Sequence, residues 1–450
     1  MMPSRAVELA LAALLLLVIA TCSDAQVLGV EGDRFTLNGQ PRFLVFVSYF
    51  DGVRRIPDNL ASTTVLDADL EYLVSKGVSG VRIFPNWQSP GETLMQCDGA
   101  LRPLQLEKLT RLIDRAAAKG LVVDVSFTID TVKNTAGHQC LSASDYKKAL
   151  DTVTSSLAGK TSILFDLQNE HDKNRPPADS SHPKGWTPQQ WADYLGATIV
   201  PAVKSRDASR LVTVSWTSDA TPLSVFSYVQ NRRYDVLAYH HRGPGWETKT
   251  TTYATRFKRL FADRGPRRPI YLQEPNRFPF DTEVAHYESA VANAKGAGAA
   301  AWTFHNSVVE QSKPLNGTTP FERLLAPGER SFLDRLNAAI AGPVAANESF
   351  RFAEMSLGTT RAILRAQEAP DEDQSTRFLA HGGRCFGRRR IGTLRLVDTP
   401  RRRRFARLVA AAAFPLRHRT PRRRDDGEPQ FRSSFGMVAK RGRPASRARL

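Results

Sequence analysis

The chain has only four cysteines, and none forms a Cys-x-x-Cys pair or stands at zinc-ligand spacing from a histidine. That excludes a structural zinc module and a dithiol redox site. Glycines do not cluster either. The segment VFVSYFDGVRR (45–55) has one glycine where a dinucleotide-binding loop needs three. Beyond residue 25 no apolar run approaches the ~20 residues of a membrane-spanning helix. No cofactor, no metal and no stable membrane insertion are expected.

The formal charge of +18 is unevenly placed. Residues 351–450 hold 25 Lys and Arg against 9 Asp and Glu, which leaves 38 basic and 36 acidic residues before them. The body of the chain is nearly neutral, so net charge makes no case for a nucleic-acid partner. Lys440 is the single lysine of those last hundred residues. Arg runs without periodicity define 343–450 as a low-complexity, disordered tail, with a basic arm for an anionic surface as the functional alternative.

Residues 1–25 have a basic start, an apolar centre at Leu14 to Leu17 and a small-residue site at Ser23-Asp24-Ala25. That is the layout of a secretory signal peptide cut before Gln26. The expected location is extracellular or periplasmic, with lipid anchoring through Cys22 as a minor alternative. Export permits a disulfide between Cys97 and Cys140, both in expected loops. Cys385 is then left unpaired in the tail.

From 26 to 342 strand and helix patterns alternate. After a hairpin at Asn38-Gly39, strands are expected at 43–49, 80–84, 121–127, 162–170, 211–216, 235–240, 269–274 and 299–306. Helical patterns lie between them and after the last. Eight such units predict an α/β fold, a (β/α)8 TIM barrel with a short N-terminal hairpin.

In that fold the active site is built from the carboxyl ends of the strands. Those ends carry Arg82 with Trp87 beyond it, Asn169-Glu170, Tyr239-His240-His241, Glu274 and Trp302. Two carboxylates on strands four and seven can face each other across the mouth, the arrangement glycoside hydrolysis requires. His240-His241 makes a poor metal site, since no His-x-His ends strand one and no acidic third ligand stands near in sequence. Trp87, Trp246 and Trp302 are candidates to stack on sugar.

In these residues the chain resembles glycoside hydrolase clan A, and within it the cellulase-like glycoside hydrolase family 5. The resemblance implies Glu170 as acid/base after Asn169 and Glu274, in YLQEP, as nucleophile. It further implies that Arg82 orders the nucleophile and that Trp302 floors the sugar subsite. The family's His near the end of strand three is absent from VVDVSFTID. Its His-x-Tyr on strand six is replaced by Tyr239-His240-His241, of which Tyr239 or His241 is expected to hydrogen-bond the nucleophile. Arg82 should keep Glu274 ionised, and the surroundings of Glu170 should raise its pKa.

The expectation is a secreted, monomeric, retaining glycosidase acting on a β-linked polysaccharide or oligosaccharide. The alternatives are a transglycosylase using the same residues and a non-catalytic carbohydrate-binding barrel.

Overall fold

The computed structural model describes residues 26–341 apart from 88–90, 218, 233, 276–282 and 310. The leader with Cys22, and the tail from 343 with Cys385, lie outside the described residues.

Three short antiparallel strands come first, β1 (Leu28–Glu31), β2 (Arg34–Leu37) and β3 (Gln40–Arg42), so the expected hairpin is a three-stranded sheet. Asn38 and Gly39 both take positive φ at its second turn, as a tight hairpin turn requires. Leu28 and Phe35 pack into the barrel interior, with Phe35 edge-on to Tyr271.

The parallel strands are β4 (Leu44–Ser48), β5 (Gly80–Ile83), β6 (Val122–Ser126), β7 (Ile163–Asp166), β8 (Leu211–Thr213), β9 (Ser215–Trp216), β10 (Leu237–His240), β11 (Ile270–Gln273) and β12 (Ala301–Phe304). Their order is β8-β7-β6-β5-β4-β12-β11-β10-β9. β8 and β9 are one stretch of chain interrupted at Val214, and it pairs with β7 on one side and β10 on the other. The sheet therefore closes on itself as a (β/α)8 barrel.

The helices are α1 (Thr64–Ser75), α2 (Pro103–Ala118), α3 (Ala143–Ser156), α4 (Pro188–Tyr194), α5 (Val200–Arg206), α6 (Pro222–Asn231), α7 (Trp246–Arg264), α8 (Val284–Gly296), α9 (Phe321–Leu324) and α10 (Pro327–Ala341). Ser142 caps α3, and Thr187 with Gln190 forms a capping box on α4. A π turn, Leu195–Ile199, joins α4 to α5.

Side chains alternate across each strand, and the two faces are chemically distinct. The outward set, including Val45, Val81, Val123, Phe165, Leu237, Leu272 and Phe304, packs under the helices. The inward set is apolar at the amino end of the barrel: Leu44, Phe46, Val122, Leu164, Ala238, Tyr271 and Ala301. Two residues on, it becomes polar, with Ser48, Arg82, Asp124, Asp166, His240, Gln273 and Thr303 all fully buried. Gly80 is where the interior is tightest, since a Cβ there would lie 2.6 Å from the Val122 carbonyl and from Phe46.

Candidate active site

Arg82 projects from β5 into the centre of the polar layer and organises it. Its Nη1 donates to Glu274 Oε1 (2.8 Å), its Nη2 to Asn169 Oδ1 (2.6 Å) and Asp166 Oδ2 (3.2 Å), and its Nε to Ser126 Oγ (2.8 Å). Burial alone would favour losing the proton, but Glu274, Asp124 and Asp166 outweigh it and raise the Arg82 pKa further. Because Arg82 can only donate, Asn169 must present its oxygen to it, which leaves the Asn169 NH2 as a donor.

The chain leaves regular strand geometry at both acidic residues. Glu170 has φ 48 and Glu274 φ 43, left-handed conformations that side-chain-bearing residues seldom adopt. Each costs on the order of 1–3 kcal/mol, which the surrounding bonds must offset. At Glu274 the reason is parity. Gln273 faces inward, so a continued strand would carry Glu274 outward; the left-handed residue brings its carboxylate onto Arg82 instead. Ser215 Oγ accepts from the Glu170 amide at 3.0 Å, and Ser215 N–H donates to Asp166 Oδ1 at 3.0 Å.

His240 connects the two carboxylates. Its Nδ1 lies 3.1 Å from Glu170 Oε1 and 3.4 Å from Glu274 Oε2, and its Nε2 lies 3.2 Å from Gln273 Oε1. Gln273 Nε2 donates to Asp124 Oδ2 at 2.8 Å, so its oxygen is the atom turned to His240 and His240 Nε2 carries a hydrogen. Nδ1 then faces two carboxylates. Asp124, also bonded by Tyr271 OH at 3.0 Å, is pushed up to about 7 by burial, with Arg82 opposing. Glu170, His240 and Glu274 offer one atom each within 4.8 Å of one another. Arg82 and a second guanidinium, Arg242, already donate to these carboxylates, so the negative charge that would attract a cation is compensated.

Arg242 lies just beyond β10. Its Nη2 donates to Glu170 Oε1 at 2.6 Å, and its Nη1 stands 3.8 Å from Glu274 Oε2. Burial pushes the Glu170 pKa up, but the His240 hydrogen bond and the charges of His240 and Arg242 prevail over burial and Glu274. Glu170 is held below the usual carboxyl range. The direction is opposite to the expected rise, because two donors converge on its Oε1.

Four expected site residues are elsewhere. Tyr239 faces outward, packs on Tyr253 and Phe257 of α7 and donates to the Ala220 carbonyl (3.1 Å). His241 also faces α7, with Nε2 2.6 Å from Thr250 Oγ1. Alternation admits only the middle residue of Tyr239-His240-His241 to the interior. Trp302 is outward as well, fully buried against Phe332 of α10, while its neighbour Thr303 points in. Trp246 begins α7 and is buried against Tyr287. None of the three aromatics can stack on a sugar from there. Trp87 differs, being 41 % exposed and edge-on to Phe50 and Phe84 at the rim. His171 and Asp172 bond back to Ser215 and Thr217, anchoring the loop after β7.

Asp124, Asp166, Ser215, Gln273 and Arg242 were missed by the sequence reading. The first four had a signal: each is polar inside a strand of otherwise apolar residues, at a position whose parity matches Arg82 or His240. Arg242, two residues past the inward His240 in a loop, had none. Cys97 and Cys140 are joined by a disulfide (S–S 2.03 Å) linking the loops after β5 and β6.

No family model matches the chain, and no curated protein matches it in sequence. Solved structures resemble it at low identity. GH5_18 from Streptomyces cattleya, in complex with GlcNAc, is 18% identical over 67% of this chain and 82% of that one, with a TM-score of 0.48. The beta-mannanase of the blue mussel Mytilus edulis is 16% identical over 70% of this chain and 97% of its own, also at 0.48. A glycoside hydrolase family 5 mannosidase from Rhizomucor miehei is 11% identical over 71% and 98%, at 0.47. The site itself, not these likenesses, carries the functional reading.

Proposed function

We propose that the protein is a secreted glycoside hydrolase that cleaves β-linked glycans with retention of configuration. The observation that carries this reading is the approach of the Glu170 and Glu274 carboxylates, whose nearest atoms and His240 Nδ1 all lie within 4.8 Å. Retaining glycosidases hold their carboxyls about 5–5.5 Å apart, whereas inverting ones leave about 6.5–9.5 Å for a water. The disulfide supports an oxidising location.

In the first step a Glu274 oxygen attacks the anomeric carbon as the glycosidic C–O bond breaks. Glu170, acting as the acid, gives its proton to the departing oxygen. In the second step Glu170 takes a proton from water, the water oxygen attacks the same carbon, and the ester to Glu274 breaks. Arg82 keeps the nucleophile ionised and in place. The free NH2 of Asn169 is the donor available to the sugar 2-hydroxyl, and Trp87 is the aromatic available to a sugar face.

The test is release of sugar from β-glucans, β-mannans and aryl β-glycosides by the full chain and by Glu274→Gln. Release by the parent, with loss of about a thousandfold or more in the variant, is the expected outcome. The first-formed product should be the β-anomer by proton NMR. Equal release by both proteins removes Glu274 as nucleophile, and a first-formed α-anomer removes retention.

A further inference from the structure

Glu170 must be protonated to act on a leaving group, yet its neighbours hold its pKa below the usual carboxyl range. His240 contributes most to this hold, and Arg242, at 2.6 Å from Glu170 Oε1, adds a second donor and a positive charge. Among the described residues, the other charged or titratable groups around Glu170 belong to the framework. His240 comes from β10, Glu274 follows β11, Arg82 on β5 reaches it through Asn169 and Glu274, and Asp130 stands in the loop after β6. His240, Arg82 and Glu274 are essentially inaccessible, whereas the Arg242 side chain is 17 % exposed. It leads the loop Arg242-Gly243-Pro244-Gly245, whose glycines both adopt positive φ. Among the described residues, Arg242 is therefore the cation of the site that can leave without unpacking the barrel.

A glycosidic oxygen that is to receive a proton from Glu170 has to come within hydrogen-bond distance of that carboxyl. The Arg242 guanidinium takes up one hydrogen-bonding position of that carboxyl, at Oε1. We propose that Arg242 is a positioning residue that keeps Glu170 ionised while the cleft is empty and yields its place to the incoming glycoside, so that Glu170 is protonated in the complex. With Arg242 displaced, burial and the like charge of Glu274 act on Glu170 against His240 alone. The free site would then hold both acids ionised, and the loaded site one ionised nucleophile and one protonated acid. This rests on the glycosidase reading, and it adds the event that readies the acid.

The test has two arms on the full chain. The first needs no turnover: titration of the Glu170 carboxyl by 13C NMR of labelled glutamate, assigned with Glu170→Gln. Removing a cation at this distance should raise the Glu170 pKa by about one to three units in Arg242→Gln. Arg242→Lys, which keeps the charge, should move it less and serves if the Gln variant does not fold. An unmoved titration in a folded variant overturns the proposal.

The second arm is the pH profile of cleavage of aryl β-glycosides. The falling alkaline limb of kcat/KM, which reports the free enzyme, should lie at least about one pH unit below that of kcat, which reports the complex. In Arg242→Gln the two limbs should converge. Coincident limbs in the parent, or a gap unchanged in the variant, overturns it. No cleavage of any glycan with the first arm positive overturns the glycosidase reading and the release step with it, while leaving the hold of Arg242 on Glu170 demonstrated.

Discussion

Arg55 and Arg82 are both fully buried among carboxylates, and only Arg82 belongs to the candidate active site. Arg55, in the short 3-10 turn Gly52–Arg55 after β4, donates to Asp51 Oδ1 at 3.0 Å and pairs with Asp69 Oδ2 at 3.2 Å. The remaining oxygens accept from main-chain amides of Gly317 and Phe321, and Tyr49 OH adds a bond to Asp69. Around Arg82 the counts run differently. Asp124, Asp166 and Glu274 converge on one guanidinium, and the neighbouring Glu170 is bonded by side chains, one of them a partly exposed arginine. A cluster closed by backbone amides is a clamp on loops. One closed mainly by side chains, with the Ser215 amide on Asp166 as its main-chain contact, can exchange its partners and its protons with an arriving molecule.

The sharpest way to break this comparison is to remove each cation. Arg55→Met and Arg82→Met each leave buried carboxylates without their positive partner, which should cost about 3–5 kcal/mol in urea unfolding. Sugar release per folded molecule separates them. Arg82→Met should lose about a hundredfold or more, since Glu274 is no longer held in its attacking position. Arg55→Met should stay near the parent. A similar catalytic loss in both would mean that the Arg55 clamp sets the mouth geometry too.

A second contrast lies between tryptophans. Trp302→Ala should lower stability by about 3–5 kcal/mol, the range for deleting a large core aromatic, and leave KM unchanged. Trp87→Ala should barely alter stability and raise KM about fivefold, the effect of losing roughly 1 kcal/mol of aromatic contact. A raised KM in the Trp302 variant alone would restore the sequence-based assignment of that residue as the sugar platform.

The fold was legible because strand and helix periods alternated so regularly, and Arg82, Glu170 and Glu274 because they end buried strands. The errors at Tyr239, His241 and Trp302 share one cause. Each is adjacent to an inward residue, so the two-residue period of a strand turns it away from the mouth. That rule could have been applied to the sequence by counting from Arg82 and Asp124. Glu274 obeys the opposite logic, since its inward position depends on a left-handed backbone that no pattern of residue types announces. Arg242 was equally hidden, because its role arises from where a loop carries it.

His240 and His241 complete the comparison at the smallest scale, two adjacent rings facing opposite sides of one strand. Burial among apolar groups, with His240 and Lys249 nearby, pushes the His241 pKa down from 6.5 to about 3. The unfolded chain therefore takes up a proton below about pH 6.5 that the folded protein refuses until about pH 3. Stability should fall as the pH drops through that window, by up to about 1.4 kcal/mol per pH unit from this group. His241→Gln has no such proton to take up and can still bond Thr250. Its urea-derived stability, compared with the parent at pH 7 and pH 4.5, should lose that share of the slope while sugar release at neutral pH is kept. An identical decline in both proteins would show that His241 is protonated in the folded state. The same substitution at position 240 would then still differ, since His240 Nδ1 lies between the two acids whose proton the reaction uses.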